Sequence, residues 1–417
     1  MNYNTYTLPC GLRIIHRPST SGVVYCGYQI NAGTRHERPG QEGLAHFCEH
    51  MSFKGTTHRR AWHILNCLES VGGDLNAFTN KEDTVYYASI LKEHMPRAID
   101  VLTDMVFNST YPQNEIDKEV EVICDEIESY NDSPAELIYD EFENAVFDHH
   151  ALGHNILGNA QQVRTYTTAD AKKFTSQFYR PDNMIFFAYG DIDFDRLVRL
   201  LSKALNNTSW HTFSADSGKT WFHADTVPPA PADYLPRTIV RNKQTHQAHV
   251  MLGNRAFSIH HNLRIPLYLL NNMLGGPGMN ARLNLSLRER NGLVYTVEST
   301  MVSYSDTGIW SIYFGCDPHD VKRCLYLVRK ELDTLMENKL TAGRLSAAKK
   351  QLKGQIGVSC DNRESVALDF GKGFLHYGWQ RDVTSLYEEI DNITAEQLQQ
   401  TAQELMPADR LTTLIFE

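Results

Sequence analysis

The sequence predicts a protein of mixed helices and strands that is built from two related halves. Within the first half, strand-like runs such as residues 23–30 alternate with helical runs such as residues 94–107. A stretch rich in Asn, Thr, Ser, Pro and Ala then interrupts this pattern at residues 206–235. A faint repeat, in which residues 65–73 resemble residues 270–276, occurs at the same stage of each half. These three observations indicate two homologous domains joined by a linker.

The predicted domains are an N-terminal domain over residues 1–205, the linker over 206–235 and a C-terminal domain over 236–417. The content of 42% hydrophobic and 22% charged residues is ordinary for a soluble enzyme. A net charge of −10 argues against a nucleic-acid partner, and no stretch approaches membrane-spanning length. The eight cysteines form no C-x-x-C pair and no secretory signal is apparent, so we expect a cytoplasmic protein with reduced thiols.

The motif with the clearest chemistry lies in residues 43–51, which hold His46, Glu49 and His50 in the order H-x-x-E-H. If the segment is helical, as its apolar stripe suggests, the two histidines project from one face and can bind one metal ion. Glu49 then lies beside the metal, where it can act as a general base. The alternative is an ordinary helix with hydrogen-bonded histidines, because 18 histidines can produce this spacing by chance.

A second predicted helix, residues 114–128, offers the remaining metal ligand. Its isoleucines and valines recur at helical spacing, and Glu119 and Glu126 are two turns apart on the same face. Catalytic zinc commonly takes three protein ligands, so two histidines need one more histidine or carboxylate. The other acidic residues of this helix are expected to face solvent.

Five segments carry a resemblance to a known family, namely residues 43–56, 73–79, 119–127, 247–253 and 287–295. They resemble the pitrilysin, insulysin and mitochondrial processing peptidase family of zinc metallopeptidases. By this resemblance His46, His50 and Glu126 bind one zinc ion per chain. Glu49 acts as the general base and then as the proton donor to the leaving amine. Glu119 matches the acid that the family places behind the zinc ligands.

The resemblance also implies how substrate is bound. Residues 73–79 are similar to the strand edge that pairs with an extended peptide. The expected substrate-binding residues of this strand are Asn76, Ala77, Phe78 and Thr79. Arg288 and Tyr295 match an Arg/Tyr element that grips the substrate backbone and stabilises the tetrahedral oxyanion. If the resemblance is left aside, residues 73–79 could equally form an ordinary hairpin strand, and Arg288 could be a solvated surface residue.

The fold that the resemblance implies is α+β, with two homologous domains that each pack an antiparallel-rich sheet against helices. Family members form a chamber from four such domains, so a chain with two is expected to form a homodimer that closes like a clam. The implied function is a zinc-dependent endopeptidase of short or unfolded peptides. The alternatives are a non-catalytic core or assembly subunit and a processing-peptidase subunit that requires a different partner chain.

Overall fold

The computed structural model describes residues 3–208, 210, 234–378 and 380–417, so most of the predicted linker lies outside the described residues. The strands are β1 (Asn4–Thr7), β2 (Arg13–Pro18), β3 (Val23–Ile30), β4 (Asp74–Thr79), β5 (Thr84–Leu91), β6 (Met184–Gly190), β7 (Thr238–Arg241), β8 (Ala248–Ala256), β9 (Val294–Ser303), β10 (Gly308–Cys316) and β11 (Thr412–Phe416). The α-helices are α1 (Leu44–Ser52), α2 (Ala61–Glu69), α3 (Met95–Asn108), α4 (Gln113–Asn131), α5 (Pro134–Val146), α6 (Ala160–Val163), α7 (Thr168–Phe178), α8 (Phe194–Leu205), α9 (Arg264–Gly275), α10 (Val321–Glu337), α11 (Ala342–Ser359), α12 (Arg363–Tyr377), α13 (Val383–Asp391) and α14 (Ala395–Leu405).

Contacts divide the chain into two compact units whose segments alternate along the sequence. Unit 1 comprises Met1–Ile127, Asn155–Pro228 and Cys360–Asp382, and unit 2 comprises Glu128–His154, Pro229–Ser359 and Val383–Glu417. Helix α5 therefore belongs to unit 2 and helix α12 to unit 1. The domain boundaries at residues 205 and 236 were drawn from local patterns, which carry no information on such long-range packing, and they stay a prediction.

Each unit contains one sheet, and the two sheets share a topology. In unit 1 the order is β1-β2-β6-β3-β5-β4, and in unit 2 it is β7-β11-β8-β10-β9. The β2–β6 and β7–β11 pairs are parallel, and all other neighbours are antiparallel. If β1 is left out and the five remaining strands of each sheet are numbered in chain order, both sheets have the strand order first, fifth, second, fourth, third. The predicted fold class of two related domains with antiparallel-rich sheets and packed helices is confirmed.

Helix α12 is held on the unit 1 sheet by apolar and ionic contacts. Phe370 and Phe374 join a buried cluster with Phe187 of β6. The fully buried Asp83 lies 3.4 Å from the Lys372 ammonium and 3.5 Å from His376 Nε2. Burial opposes ionisation of Asp83, but the charge of Lys372 and the hydrogen bonds from His376 and Gln29 outweigh it and hold the pKa of this carboxyl well below its usual range. A buried carboxylate thus selects the position of α12.

Helix α1 packs its apolar face into the core of unit 1. Leu44, Phe47, Cys48 and Met51 are almost completely buried there. Burial of a large apolar side chain stabilises the fold by about 1.5–3 kcal/mol, so this face fixes the rotation of the helix. None of the helices within the described ranges has the length and apolar composition that crossing a membrane would require.

Candidate metal centre

A buried carboxylate fixes the start of α1. Gly43 precedes the helix with φ of +88°, a conformation that favours glycine. Glu37 accepts hydrogen bonds from the backbone N–H groups of Gly43, at 3.0 Å, and Ala45, at 2.7 Å. Its negative charge also complements the positive end of the helix dipole. The polar residues of α1 therefore project from a helix whose N-terminus is anchored.

The two histidines of α1 meet a glutamate of α4. The rings of His46 and His50 are adjacent, with centroids 4.5 Å apart. Glu126 Oε2 lies 3.9 Å from His46 Nε2 and 3.4 Å from His50 Nε2. One ligand atom from each residue lies within 4.8 Å of the others. Within the described ranges, no other group of three or more His, Cys, Asp or Glu side chains lies close enough together to hold a metal ion.

The two imidazoles have opposite electrostatic environments. Burial, helped by the neighbouring His50, lowers the pKa of His46 to about 4, so this ring is neutral at pH 7. Burial also disfavours the His50 imidazolium, but hydrogen bonds to Glu119 and Glu126 and the charge of Glu49 outweigh it. They raise the pKa of His50 to about 9. The site therefore attracts one positive charge, which a metal ion can supply in place of the proton.

The residues of this cluster fit a zinc ion. Two imidazole nitrogens and one carboxylate oxygen are a ligand set of catalytic zinc, which keeps a fourth position open. Nδ1 of His46 is buried and has no hydrogen-bond partner in the part of the chain that the structure describes. Its Nε2 is too far from Glu126 for a hydrogen bond. Ligation of a metal ion through Nε2 would give this nitrogen a partner that Glu126 alone does not provide.

Glu119 supports His50 from behind the cluster. Its Oε1 lies 3.1 Å from His50 Nδ1, and its Oε2 lies 2.5 Å from the Lys54 ammonium. Because Nδ1 is engaged, Nε2 is the nitrogen that faces Glu126. Lys54 is a further partner of Glu119 that the sequence analysis did not name.

Glu49 is buried on the same helix and is held by strand β4. Thr79 Oγ1 donates a hydrogen bond of 2.7 Å to Glu49 Oε2. Burial raises the pKa of Glu49, while the Thr79 hydroxyl and the charge of His50 oppose this shift. A carboxylate with a raised pKa that is fixed beside a metal-ligand cluster has the properties of a general base.

Strand β4 is an edge strand. It pairs with β5 through register partners that include Asn76 with Tyr87 and Ala77 with Tyr86, and no strand of the described residues pairs with its other side. An edge strand can pair with an extended peptide through its free backbone groups. The predicted residues Asn76, Ala77, Phe78 and Thr79 all lie in this strand.

The predicted Arg/Tyr element lies in unit 2. Arg288 is in a π-helix, Asn284–Glu289, and Tyr295 is near the start of β9. The Arg288 guanidinium carbon lies 5.4 Å from the centre of the Tyr295 ring, and 80% of Tyr295 is exposed. Both residues line a cleft of about 600 Å³ together with the segment Gly275-Gly276-Pro277-Gly278.

Three features near the cluster escaped the sequence analysis. Glu37 and Lys54 flank the H-x-x-E-H helix on either side, and the Thr79 hydroxyl contacts Glu49 although only backbone pairing was predicted for this residue. The sequence does show that Glu37 and Lys54 are charged residues close to the ends of a helix with an apolar stripe. Local patterns could not supply their contact partners.

Comparison with known proteins places the chain in a family. Residues 13–160 match the family description "Insulinase (Peptidase family M16)", and residues 165–352 match "Peptidase M16 inactive domain". The chain is 32% identical to the uncharacterized zinc protease YmxG of Bacillus subtilis, over 98% of this chain and 97% of that protein. It is also 32% identical to the uncharacterized zinc protease SCO5738 of Streptomyces coelicolor, over 96% of this chain and 86% of that protein.

Solved structures agree on the fold. A protease from Helicobacter pylori aligns with a TM-score of 0.90 at 21% identity, covering 100% of this chain and 99% of that one. A structure described as the peptidase M16 inactive domain from Pseudomonas fluorescens aligns with a TM-score of 0.87 at 18% identity, covering 100% and 98%. The fold is thus that of a two-domain M16-like peptidase. The chain belongs to the insulinase family, peptidase family M16, which confirms the predicted membership.

Proposed function

We propose that the protein is a zinc-dependent endopeptidase that hydrolyses short or unfolded peptides. The observation that carries the proposal is the convergence of His46, His50 and Glu126 beside the buried carboxylate of Glu49. The names of the relatives, which are called zinc proteases, also support it. One zinc ion per chain would be held by the two histidines and Glu126.

The proposed chemistry assigns a role to each residue of the cluster. Zinc, when bound, supplies the Lewis acidity that makes water a nucleophile near neutral pH. Glu49 accepts the proton of the attacking water and passes it to the amine that leaves, as the new C–O bond forms and the peptide C–N bond breaks. Thr79 keeps the carboxylate in place, and Glu119 orients His50.

Substrate would bind in an extended conformation along β4. Backbone groups of Asn76, Ala77, Phe78 and Thr79 would pair with the peptide, which gives affinity with little demand on substrate side chains. Arg288 and Tyr295 would grip the substrate backbone and stabilise the oxyanion. The exposure of Tyr295 and its contact with Arg288 support this role.

We also propose that the protein is a cytoplasmic homodimer with two active sites in an enclosed chamber. The family resemblance supports a four-domain chamber, and one chain has two domains. Light scattering should therefore give twice the chain mass of 47.5 kDa. A mass of one chain in the fully active protein would contradict the homodimer, and activity that appears only with a different chain would favour the processing-subunit alternative.

A second candidate function is a non-catalytic core or assembly subunit. It is favoured by the match of residues 165–352 to a domain described as inactive and by the solved structure with the same description. His46, Glu49, His50 and Glu126 all lie outside that range, in the part that matches the insulinase description. A scaffold has no need of the complete set, so we prefer the peptidase.

The test compares the wild-type protein with Glu49→Gln on a library of quenched fluorescent peptides, with zinc content measured for both. We expect the variant to keep about one zinc per chain and to lose activity by at least 100-fold, the scale of general-base catalysis. A wild-type protein that binds zinc and cleaves no peptide would favour the assembly subunit. Equal activity of the two proteins would remove Glu49 from the mechanism.

A further inference from the structure

The cluster continues beyond its ligands into a chain of three charged side chains. His50 Nδ1 lies 3.1 Å from Glu119 Oε1, and Glu119 Oε2 lies 2.5 Å from Lys54 Nζ. The two oxygens of one carboxylate thus serve two different partners. Lys54 lies two residues beyond the end of α1, and Glu119 lies on α4. The ammonium therefore links the end of the histidine helix to the helix of Glu126.

The loop that carries Lys54 is fixed by its own contacts. The Lys54 backbone N–H donates to Met51, and the carbonyl of Gly55 accepts from the backbone of Thr110 at 3.0 Å. Farther along, Thr56 and Arg59 each donate to the buried carboxylate of Asp104 at 2.6 Å. The backbone from which the lysine extends is thus held at both ends.

The surroundings of Glu119 favour a cation beside its carboxylate. Its side chain is only 10% exposed, so water can replace few of the contacts that Lys54 makes. Glu119 and Glu126 both approach His50, which places two carboxylates on one imidazole. Without the ammonium, Glu119 would be left with one partner and a repulsive neighbour. Exposed ion pairs contribute little, but a partly buried pair in a network of charges contributes more.

We propose that Lys54 is a positioning residue of the metal site. Its ammonium holds one oxygen of Glu119, so that the other oxygen fixes His50 Nδ1 and directs His50 Nε2 towards His46 and Glu126. This role rests on the metal site of the proposed function. It is assigned to a residue that contacts none of the three proposed zinc ligands. Partners behind a metal-binding histidine typically alter metal affinity by about 10- to 100-fold when they are removed.

The test measures zinc affinity directly, by competition with a chromophoric chelator. Lys54→Met removes the charge and keeps the length of the side chain, and we expect it to weaken zinc binding by about 10-fold. Lys54→Arg keeps a cation and should stay within about 3-fold of wild type, because it can still pair with the carboxylate. The visible spectrum of the cobalt-substituted protein should change in Lys54→Met and not in Lys54→Arg.

Lys92→Met is the matched control, because Lys92 also forms an ion pair of 2.5 Å, with Asp191, but both side chains are more than half exposed. It should leave zinc affinity unchanged. In a Glu119→Ala background, Lys54→Met should add less than about 2-fold, because the lysine acts through Glu119. A full 10-fold effect in that background, or a wild-type affinity in Lys54→Met, would overturn the proposal.

These outcomes are distinguishable from failure of the proposed function. A wild-type protein that binds zinc without cleaving peptides would contradict the peptidase, while the 10-fold loss of zinc affinity in Lys54→Met would still support the positioning role. If the wild-type protein cleaves peptides but Lys54→Met binds zinc as tightly as wild type, only the positioning role is contradicted. A wild-type protein that binds no zinc would contradict both.

Discussion

At the scale of single residues, the hydrogen bond from Thr79 to Glu49 joins the substrate strand to the proposed general base. The two residues are 30 positions apart, and both are buried. The hydroxyl is the polar donor that holds Glu49 Oε2, and the strand that presents it is the one expected to pair with peptide. The position of the base and the geometry of the bound substrate are therefore linked through one side chain.

Replacement of this hydroxyl should impair catalysis without removing the metal. In Thr79→Val the side chain keeps its shape, but Glu49 loses its donor, and we expect kcat to fall by about 10-fold, with zinc content and KM unchanged. Thr79→Ser keeps the hydroxyl and should recover most of the activity. Steady-state kinetics with zinc analysis tests this prediction, and an unchanged kcat in Thr79→Val would refute it.

His50 should make zinc affinity depend on pH. Its pKa in the metal-free protein is raised to about 9, so below this pH one proton must leave before the ring can bind zinc. The apparent association constant should increase by about 10-fold per pH unit through neutral pH and level off above about pH 9. Chelator competition at several pH values measures the slope. A flat dependence between pH 6 and 8 would contradict the protonated state of His50.

At the scale of secondary-structure elements, the buried cap of α1 should contribute measurably to stability. Glu37→Ala removes the acceptor of two backbone N–H groups at the helix start, and we expect the free energy of unfolding to fall by about 2 kcal/mol. The control is Glu93→Ala, since the side chain of Glu93 is 72% exposed. Urea denaturation compares them, and equal effects of the two substitutions would show that the cap is not stabilising.

Several elements could be predicted from local sequence. The strand-like run at residues 23–30 is β3, and the helical run at 94–107 corresponds to α3 within one residue at each end. Helical spacing also sufficed to place His46 and His50 side by side. The choice of Glu126 as their partner required the family resemblance, because the packing of α4 against α1 leaves no local signature.

The packing of α5 on the second sheet and of α12 on the first was not predictable in this way. The apolar faces of both helices are visible in the sequence, but an apolar face does not specify which sheet it will cover. In α12 the selection depends on Asp83, which is about 290 residues from Lys372 and His376. The contact of Lys54 with Glu119 also lacks a local signature, because α2, β4, β5 and α3 lie between α1 and α4 in the chain.

At the scale of the whole molecule, zinc should stabilise the folded protein. Ligands that bind only the native state add about 4 kcal/mol at a concentration 1,000 times their Kd. We therefore expect zinc to raise the Tm of the metal-free wild-type protein by about 5 to 10 °C. His46→Ala removes a buried ligand and should abolish the increase. An equal increase in both proteins, measured by calorimetry, would place the stabilising zinc elsewhere.

Whether His46, His50 and Glu126 hold a catalytic zinc ion can be tested by titration of the metal-free protein with zinc while peptide hydrolysis is followed. We expect no hydrolysis without metal, a rate that rises in proportion to added zinc, and saturation at one zinc per chain. Full hydrolysis before zinc is added, or no hydrolysis when one zinc per chain is bound, would contradict the proposed zinc-dependent peptidase.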